Sequence, residues 1–325
     1  MRLTKPMRAA LYEKTGPASE VLQVSEVDLP EPGPGQVRVT ISFSGINPTD
    51  VKNRGRGLAS IDEFQVPHQD GSGVIDAVGA GVDPNRIGER VWVMLAANGN
   101  RYGTAAQHCI VNSELARRLP DSISLELGAT LGVPAVTAAY CLFADGPIAG
   151  ENVLISGGAG AVGRAAVQLA KWAGARVFTT VSSEHKAQIA TEAGADVVVN
   201  YTDPTAIDQL KDQRISRIIE VNLGANLELD LAISQQGMKI VIYAADGEDP
   251  VLPRRALMTA GITIEFMLLY NIPDHKLWQA VEFVEAALAQ GALTPPPITL
   301  MPLTEIVAAH VQIEAASINR VLVTP

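Results

Sequence analysis

The chain has 325 residues, 47% hydrophobic and 18% charged, with a formal net charge of −10. That is enough apolar material for a sizeable core, in two domains or one large one, and it excludes a disordered chain. The acidic balance argues against nucleic acid or an anionic membrane as partner, and no apolar run reaches the roughly eighteen residues of a membrane-crossing helix.

The start, MRLTKPMRAALYEKTG, is basic but lacks an apolar core of signal-peptide length. To about Leu127 the chain then reads as short β-like runs: QVRVTISF from Gln36, SGVIDAVG from Ser72 and ERVWVML from Glu89. Gly/Pro-rich punctuation separates them (PEPGPG, VDPNRIG, ANGNRYG), the spacing of a small β-barrel-like domain. The two cysteines, Cys109 and Cys141, match no metal-ligand spacing; they read as small buried side chains in a protein of the reducing cytoplasm.

From Gly128 to Ile272 the rhythm changes. NVLISGGAG reads as strand and glycine turn, AVGRAAVQLAKWAG as an amphipathic helix stopped by Gly174, ARVFTTV as a strand and SEHKAQIATEAG as a helix stopped by Gly194. DVVVNY, RIIEVN, MKIVIYA and ITIEFMLL read as further strands, most of them separated by helical stretches. Buried apolar strands alternating with helices predict a doubly wound parallel sheet, and so an α/β fold. From Pro273 onward HKLWQAVEFVEAALAQG and LTEIVAAHVQIEAA read as helices and RVLVT as a final strand. That strand has no evident partner in its own segment. It is expected to join the first domain's sheet, giving one domain from 1–127 with 273–325 and a second from 128–272.

Gly158-Ala159-Gly160-Ala161-Val162-Gly163 fits G-x-G-x-x-G, and it follows an apolar strand and opens an amphipathic helix. In that context the glycines allow a tight turn and close approach of a pyrophosphate, and the helix start offers free N–H groups. A tight turn with no ligand is the alternative. An NAD site usually closes the second strand with Asp or Glu, for the ribose 2′-hydroxyl. Here Ser182 stands at that place and Lys186 follows one helical turn later, a hydroxyl and an ammonium suited to a 2′-phosphate and therefore to NADPH. Glu184 dissents, although early in a helix it also favours the dipole.

With these residues in hand the chain resembles the zinc-independent medium-chain dehydrogenases/reductases, in particular the quinone oxidoreductase family that includes zeta-crystallin. The resemblance runs in order through SGINPTDVKNRG, DGSGVIDAVGAGV, PAVTAAYCLF, VLISGGAGAVGRAAVQLAKWAGA, GADVVVNY and IIEVNLGANL. It implies a GroES-like β-barrel catalytic domain, a Rossmann domain, NADPH in a cleft between them, and a homodimer, for which the apolar strand ITIEFMLL at the end of the Rossmann sheet is the natural candidate for edge pairing. It places Gly160, Ala161 and Val162 at the pyrophosphate, Ser182, Lys186 and Tyr201 around the 2′-phosphate, and Thr137 near the phosphates or nicotinamide ribose. Asn226, Tyr243 and Ala244 would flank the cofactor's path, and the backbones of Met267 and Leu268 would meet the carboxamide. As side chains, Tyr243, Met267 and Leu268 read equally well as sheet core.

Zinc alcohol dehydrogenases of the wider superfamily carry Cys where this chain has Asn47, His-Glu where it has Gln69-Asp70, and a second Cys ligand where it has Pro134. Asn, Gln and Pro cannot assemble a thiolate/imidazole shell, and His68 alone, one place away, makes no catalytic site. Without a Lewis acid the better hydride acceptors are conjugated, such as quinones and α,β-unsaturated carbonyls. Asn47 is expected at nicotinamide level, although Asn before Pro48 also serves as a turn device; Asp50 is expected to orient it. Where many quinone oxidoreductases have Tyr, this chain has Lys52, able to stabilise or protonate an enolate oxygen or simply to face solvent. In the Gly-rich loop Asn98 and Tyr102 are candidate substrate contacts, whereas Trp92 fits a strand core. The competing functional class is a dinucleotide-holding protein without turnover, structural or RNA-binding.

Overall fold

The computed structural model describes residues 5–56, 61–245 and 247–325; the first four residues of the basic N-terminal stretch lie outside them. The chain divides into two units, 1–133 with 295–325, and 134–294. The first unit opens with β1 (Pro6–Leu11), α1 (Ala18–Val21), β2 (Gln23–Asp28), β3 (Gln36–Gly45), α2 (Pro48–Arg56), β4 (Asp70–Val78), β5 (Arg90–Val93), β6 (His108–Asn112), β7 (Ala116–Arg118) and α3 (Leu125–Gly128). Helix α4 (Gly132–Phe143) leads into β8 (Asn152–Ser156), α5 (Ala161–Trp172), β9 (Arg176–Val181), α6 (Glu184–Glu192), β10 (Val197–Asn200), α7 (Ala206–Leu210), β11 (Arg217–Glu220), α8 (Leu223–Ala232), β12 (Lys239–Ile242), α9 (Arg254–Ala260), β13 (Thr263–Phe266) and α10 (Asp274–Ala289). The chain ends with β14 (Ile298–Pro302), α11 (Ile306–Glu314) and β15 (Arg320–Thr324).

The first unit carries a mixed sheet in the order β14-β15-β3-β4-β5-β7, with β6 paired to β3, and a separate β1-β2 ribbon. Period-two patterning explains β3: Val37, Val39 and Ile41 turn into a core with Ile75, Val91 and Val93, while Arg38 and Thr40 alternate with them. A second core packs β1 residues Met7, Ala9 and Leu11 against Ile306, Val321 and Val323 of the returning C-terminal segment. The discontinuous domain expected from the sequence therefore forms, with Leu322 opposite Gly45 and Val323 opposite Ser44.

Two expectations need correction. The terminal strand does have a partner in its own segment: β14 pairs with it in parallel, Ile298 opposite Arg320. The prolines at 295–297 and 302 hide that strand, because proline donates nothing to a ladder and is tolerated here only at the sheet edge. The domain boundaries also move, from 127/128 to 133/134 and from 272/273 to 294/295. Helix α10 belongs to the second unit, where the Phe283 ring lies tilted against Phe143 with centroids 4.5 Å apart and Gln290, just past the helix end, accepts a hydrogen bond from Trp172.

The second unit holds a six-stranded, wholly parallel sheet in the order β10-β9-β8-β11-β12-β13. Leu154, Phe178, Val199, Ile218 and Ile240 fill one face of it, and the alternate residues Val153, Ile155, Val177, Ile219 and Val241 are buried on the other, which is why these strands read as continuous apolar runs. The strand order reverses between β8 and β11, the place where doubly wound sheets receive ligands at their carboxyl ends. Strand β13 is shorter than ITIEFMLL suggests: it stops at Phe266, and Leu269–Asn271 form a 3₁₀ turn.

Candidate active site

The glycine loop lies at the end of β8, beside that reversal. Gly157 has φ +73°, and a β-carbon on Gly158 would meet Thr179 Oγ1 at 2.1 Å. One on Gly163 would meet the Gly157 carbonyl oxygen at 2.2 Å, so the helix packs against its own turn as only glycine permits. Gly160 caps α5 with no side-chain hydrogen bond, which leaves the first-turn N–H groups without a side-chain cap. Gly160 and Ala161 are exposed and Val162 half-buried, so this helix start is open to an anion.

Ser182 and Lys186 come together as the sequence suggests. Lys186 Nζ donates to Ser182 Oγ at 2.9 Å, while Ser183 caps α6 by accepting from the Lys186 N–H. Tyr201, half-exposed, follows the neighbouring strand β10, its N–H bonded to the Val181 carbonyl. Glu184 is exposed in the first turn of α6. Sequence reasoning missed Glu220, which closes β11 fully buried; it accepts from Ser156 Oγ (2.6 Å) and Asn226 Nδ2 (2.8 Å) and also from the Asn222 N–H. A carboxylate ending an apolar strand was the available signal. Asn226 is thus tied to the protein. Of the two backbones expected at a carboxamide, the Met267 N–H is committed to the Ile242 carbonyl; on the expected cofactor path the Tyr243 N–H is bonded to the Glu220 carbonyl. Ala244 is half-buried, Leu268 exposed, and Thr137 buried on α4.

In the first unit Asn47, Asp50 and Asp70 form a buried knot. Pro48 starts α2, and Asp50 reaches back to accept the Asn47 N–H at 2.7 Å, one arm of a capping box. The Asn47 amide does not cap the helix. It donates to Asp70 Oδ2 at 2.7 Å, where Arg320 Nη2 also arrives at 3.1 Å. Asp70 Oδ1 accepts the Val133 N–H at 2.8 Å at the start of α4, an approach that Gly132 allows, since a β-carbon there would stand 2.1 Å from the same oxygen. Burial pushes Asp70 up to about 6, opposed by Arg320 and by the Asn47 and Val133 bonds. Burial pushes Asp50 further, up to about 8, with Asp70 adding repulsion and the Asn47 N–H and Arg320 opposing. Lys52 is half-buried on the same helix. Asn98 is exposed in its loop; Tyr102 is half-buried, edge-on to Phe64 at 6.1 Å and packed on the first unit's core. Trp92 is fully buried, as its strand position suggests.

These residues do not suit zinc. The oxygens of Asp70 are occupied by two N–H donors and a guanidinium, Gln69 Oε1 accepts the Ala97 N–H at 3.2 Å, and both ring nitrogens of His68 are engaged by Ser44 and His310. Among the described residues no group of three or more His, Cys, Asp or Glu could hold a metal ion. Both thiols are buried and pushed up by desolvation, Cys109 to about 12 and Cys141 higher. No helix among the described residues is long and apolar enough to cross a membrane.

A Rossmann sheet with an open glycine loop, carried in one chain with a β-rich unit that closes on its own C-terminal return, is the build of a dinucleotide-dependent dehydrogenase or reductase. The pattern of the alcohol dehydrogenase GroES-like domain matches residues 33–144, and that of the zinc-binding dehydrogenases matches residues 161–286. A quinone oxidoreductase of Sus scrofa is 30% identical over 307 residues, 92% of this chain and 91% of that protein. A mycobacterial quinone oxidoreductase of known structure is 26% identical, with a TM-score of 0.84 over 98% of this chain and 100% of its own. A mycobacterial structure complexed with NADPH superposes equally well at 24% identity, a likeness of fold. The chain belongs to the medium-chain dehydrogenase/reductase family, with the quinone oxidoreductases among its relatives.

Proposed function

We propose that this protein is an NADPH-dependent reductase that passes hydride to quinones or α,β-unsaturated carbonyl compounds without zinc. The observation that carries the reading is the Lys186–Ser182 pair, 2.9 Å apart at the end of β9, where an NAD site would hold a carboxylate. The N–H groups of Ala161 and Val162 receive the pyrophosphate at Gly160, whose own N–H is bonded to the Gly157 carbonyl, and Lys186, Ser182 and Tyr201 receive the 2′-phosphate. The nicotinamide supplies the hydride when bound. Asn47, anchored on Asp70, is the group we assign to the reacting end. Lys52 supplies positive charge for the oxygen on which negative charge develops, and the proton comes from its ammonium or from water. The donor set at Asn47, Gln69 and Asp70 supports the zinc-free form of this chemistry. The exposed Phe266 and Leu268 at the sheet edge support a homodimer. Steady-state assays of NADPH and NADH against a panel of quinones and alkyl enones test the reading, with bound metal measured in the same preparation. NADPH oxidation preferred by about tenfold or more and insensitive to chelators is expected. No oxidation above background with any acceptor, or activity that needs stoichiometric zinc, overturns it.

A further inference from the structure

A pair of buried histidines in the first unit has no place in that reading. His68 is fully buried in the turn before β4 with φ +79°, a left-handed conformation that costs a residue with a β-carbon and persists only where its surroundings enforce it. Its Nε2 lies 3.0 Å from Nε2 of His310 on α11, the rings tilted by 25°, and its Nδ1 lies 2.8 Å from Ser44 Oγ on β3.

These groups belong to one line of hydrogen bonds, and the position of every hydrogen follows from its two ends. At one end Thr104 Oγ1 faces the Asp70 carbonyl oxygen at 2.5 Å; a carbonyl only accepts, so Thr104 donates. Ser44 Oγ, 2.7 Å from Thr104 Oγ1, must then donate to it, and accepts in turn from His68. His68 therefore carries its hydrogen on Nδ1. At the other end Arg54 Nε, which only donates, faces His310 Nδ1 at 3.3 Å. His310 therefore carries its hydrogen on Nε2 and presents it to the bare Nε2 of His68. The two deductions meet between the rings without conflict, and only when both rings are neutral. Their surroundings agree: burial, the other imidazole and Arg320 hold His68 well below the usual histidine range, while burial and the Arg54 guanidinium take His310 down to about 3. The charged groups near the pair are Arg54 on α2, itself bonded to Glu314 of α11, then Arg320 on β15, and Asp50 and Asp70.

The line delivers no proton to a substrate, because its last hydrogen points at a carbonyl oxygen that has none to pass on. What it grips is the turn into Asp70. Thr104 also donates its N–H to the His68 carbonyl at 3.1 Å, and two residues after His68 the Asp70 carboxylate holds the Asn47 amide. We propose that His68, locked by His310 as its Nδ1–H tautomer, is a positioning residue that sets the Asp70 carboxylate and, through it, the Asn47 side chain. The proposal rests on the assignment of Asn47 to the reacting end.

Two measurements on the full-length NADPH-loaded protein test it. Long-range ¹H–¹⁵N spectra of the imidazoles should show His68 protonated at Nδ1 and His310 at Nε2, unchanged from about pH 5.5 to about pH 8.5. The opposite tautomer for His68, or titration of either ring in that range, overturns the relay. His68→Gly relieves the backbone and removes the ring, whereas His68→Asn tolerates the left-handed turn and keeps an N–H toward Ser44. His68→Gly should shift the Asn47 side-chain amide resonances and lower kcat about tenfold, with Kd for NADPH unchanged, and His68→Asn should restore most of both. Asn47 resonances that do not move in a folded His68→Gly protein overturn the positioning role. Moved resonances with wild-type kcat remove its bearing on catalysis. A wild-type protein without reductase activity is a failure of the proposed function instead, and the amide resonances still decide the positioning.

Discussion

Lys186 lies one helical turn after Ser182, and the 2.9 Å bond between them presents an ammonium and a hydroxyl at the end of β9. A 2′-phosphate there accepts charge-assisted bonds worth roughly 1.5–3 kcal/mol each, whereas an unphosphorylated ribose gains little from an ammonium. Lys186→Ala is therefore expected to raise KM for NADPH about 10- to 100-fold and to leave KM for NADH nearly unchanged. Ser182→Asp puts a carboxylate where a 2′-hydroxyl would donate and should invert the preference, repelling the phosphate. Initial-rate measurements with both nucleotides at saturating acceptor check this; equal losses for NADPH and NADH in Lys186→Ala would place that lysine away from the 2′ position. Asp50 shows the other side of residue-scale reasoning. It is expected from the sequence to orient Asn47, and the bond it makes is to the Asn47 backbone N–H, whereas the Asn47 side-chain amide is held by Asp70.

At the scale of elements, α8 carries a feature that a hydrophobic pattern does not announce. Asp230 is fully buried, and among the described residues neither carboxyl oxygen has a hydrogen-bond partner. Burial first, and then the Glu220 carboxylate, push it up to about 8. Because that value lies above the unfolded one, its stabilising contribution is complete below about pH 4 and is lost as pH rises through 8. Over that window this one group lowers the unfolding free energy by up to about 1.4 kcal/mol per pH unit. Asp230→Leu removes the titration, so the variant should gain on the wild type as pH rises and be more stable by a few kcal/mol, to order of magnitude, near pH 8. Urea unfolding at several pH values checks it, and parallel wild-type and variant curves would show the carboxyl to be satisfied. The same scale shows what a sequence makes legible. The second unit's strands and glycine loop stand out because buried parallel strands are nearly pure apolar runs and the loop has fixed spacing. Ser182 and Lys186 are legible because they are local to one strand–helix turn. Strand β14 is obscured by its prolines, and α10 changes units because its partners Phe143 and Trp172 lie more than a hundred residues earlier. Glu220 and the His68–His310 line depend on groups far apart in sequence that only the folded chain brings together.

For the whole molecule, the open question is what covers β13. It ends the parallel sheet, and among the described residues no strand pairs with its outer side. Phe266 is 67% exposed and Leu268 53%, with Met258 of α9 exposed in the same unit. A bare apolar edge presents unpaired backbone groups as well as side chains, a template for uncontrolled association. Closure by a second copy about a two-fold axis satisfies both, since each β13 would extend the other's sheet in antiparallel sense and bring the two Phe266 side chains near the axis. Glu265 opposes indiscriminate pairing less than its charge suggests, because it is already held by Lys239 at 2.5 Å and accepts the Tyr140 hydroxyl at 2.8 Å. Light scattering on the purified protein should therefore give twice the chain mass of 34.3 kDa. Phe266→Lys sets like charges against each other near the axis and should yield the single-chain mass with an unchanged circular dichroism spectrum, since the exposed side chain contributes little to its own unit's core. A wild-type protein of single-chain mass at micromolar concentration would mean that β13 is protected in some other way, and that the homodimer is not how this sheet ends.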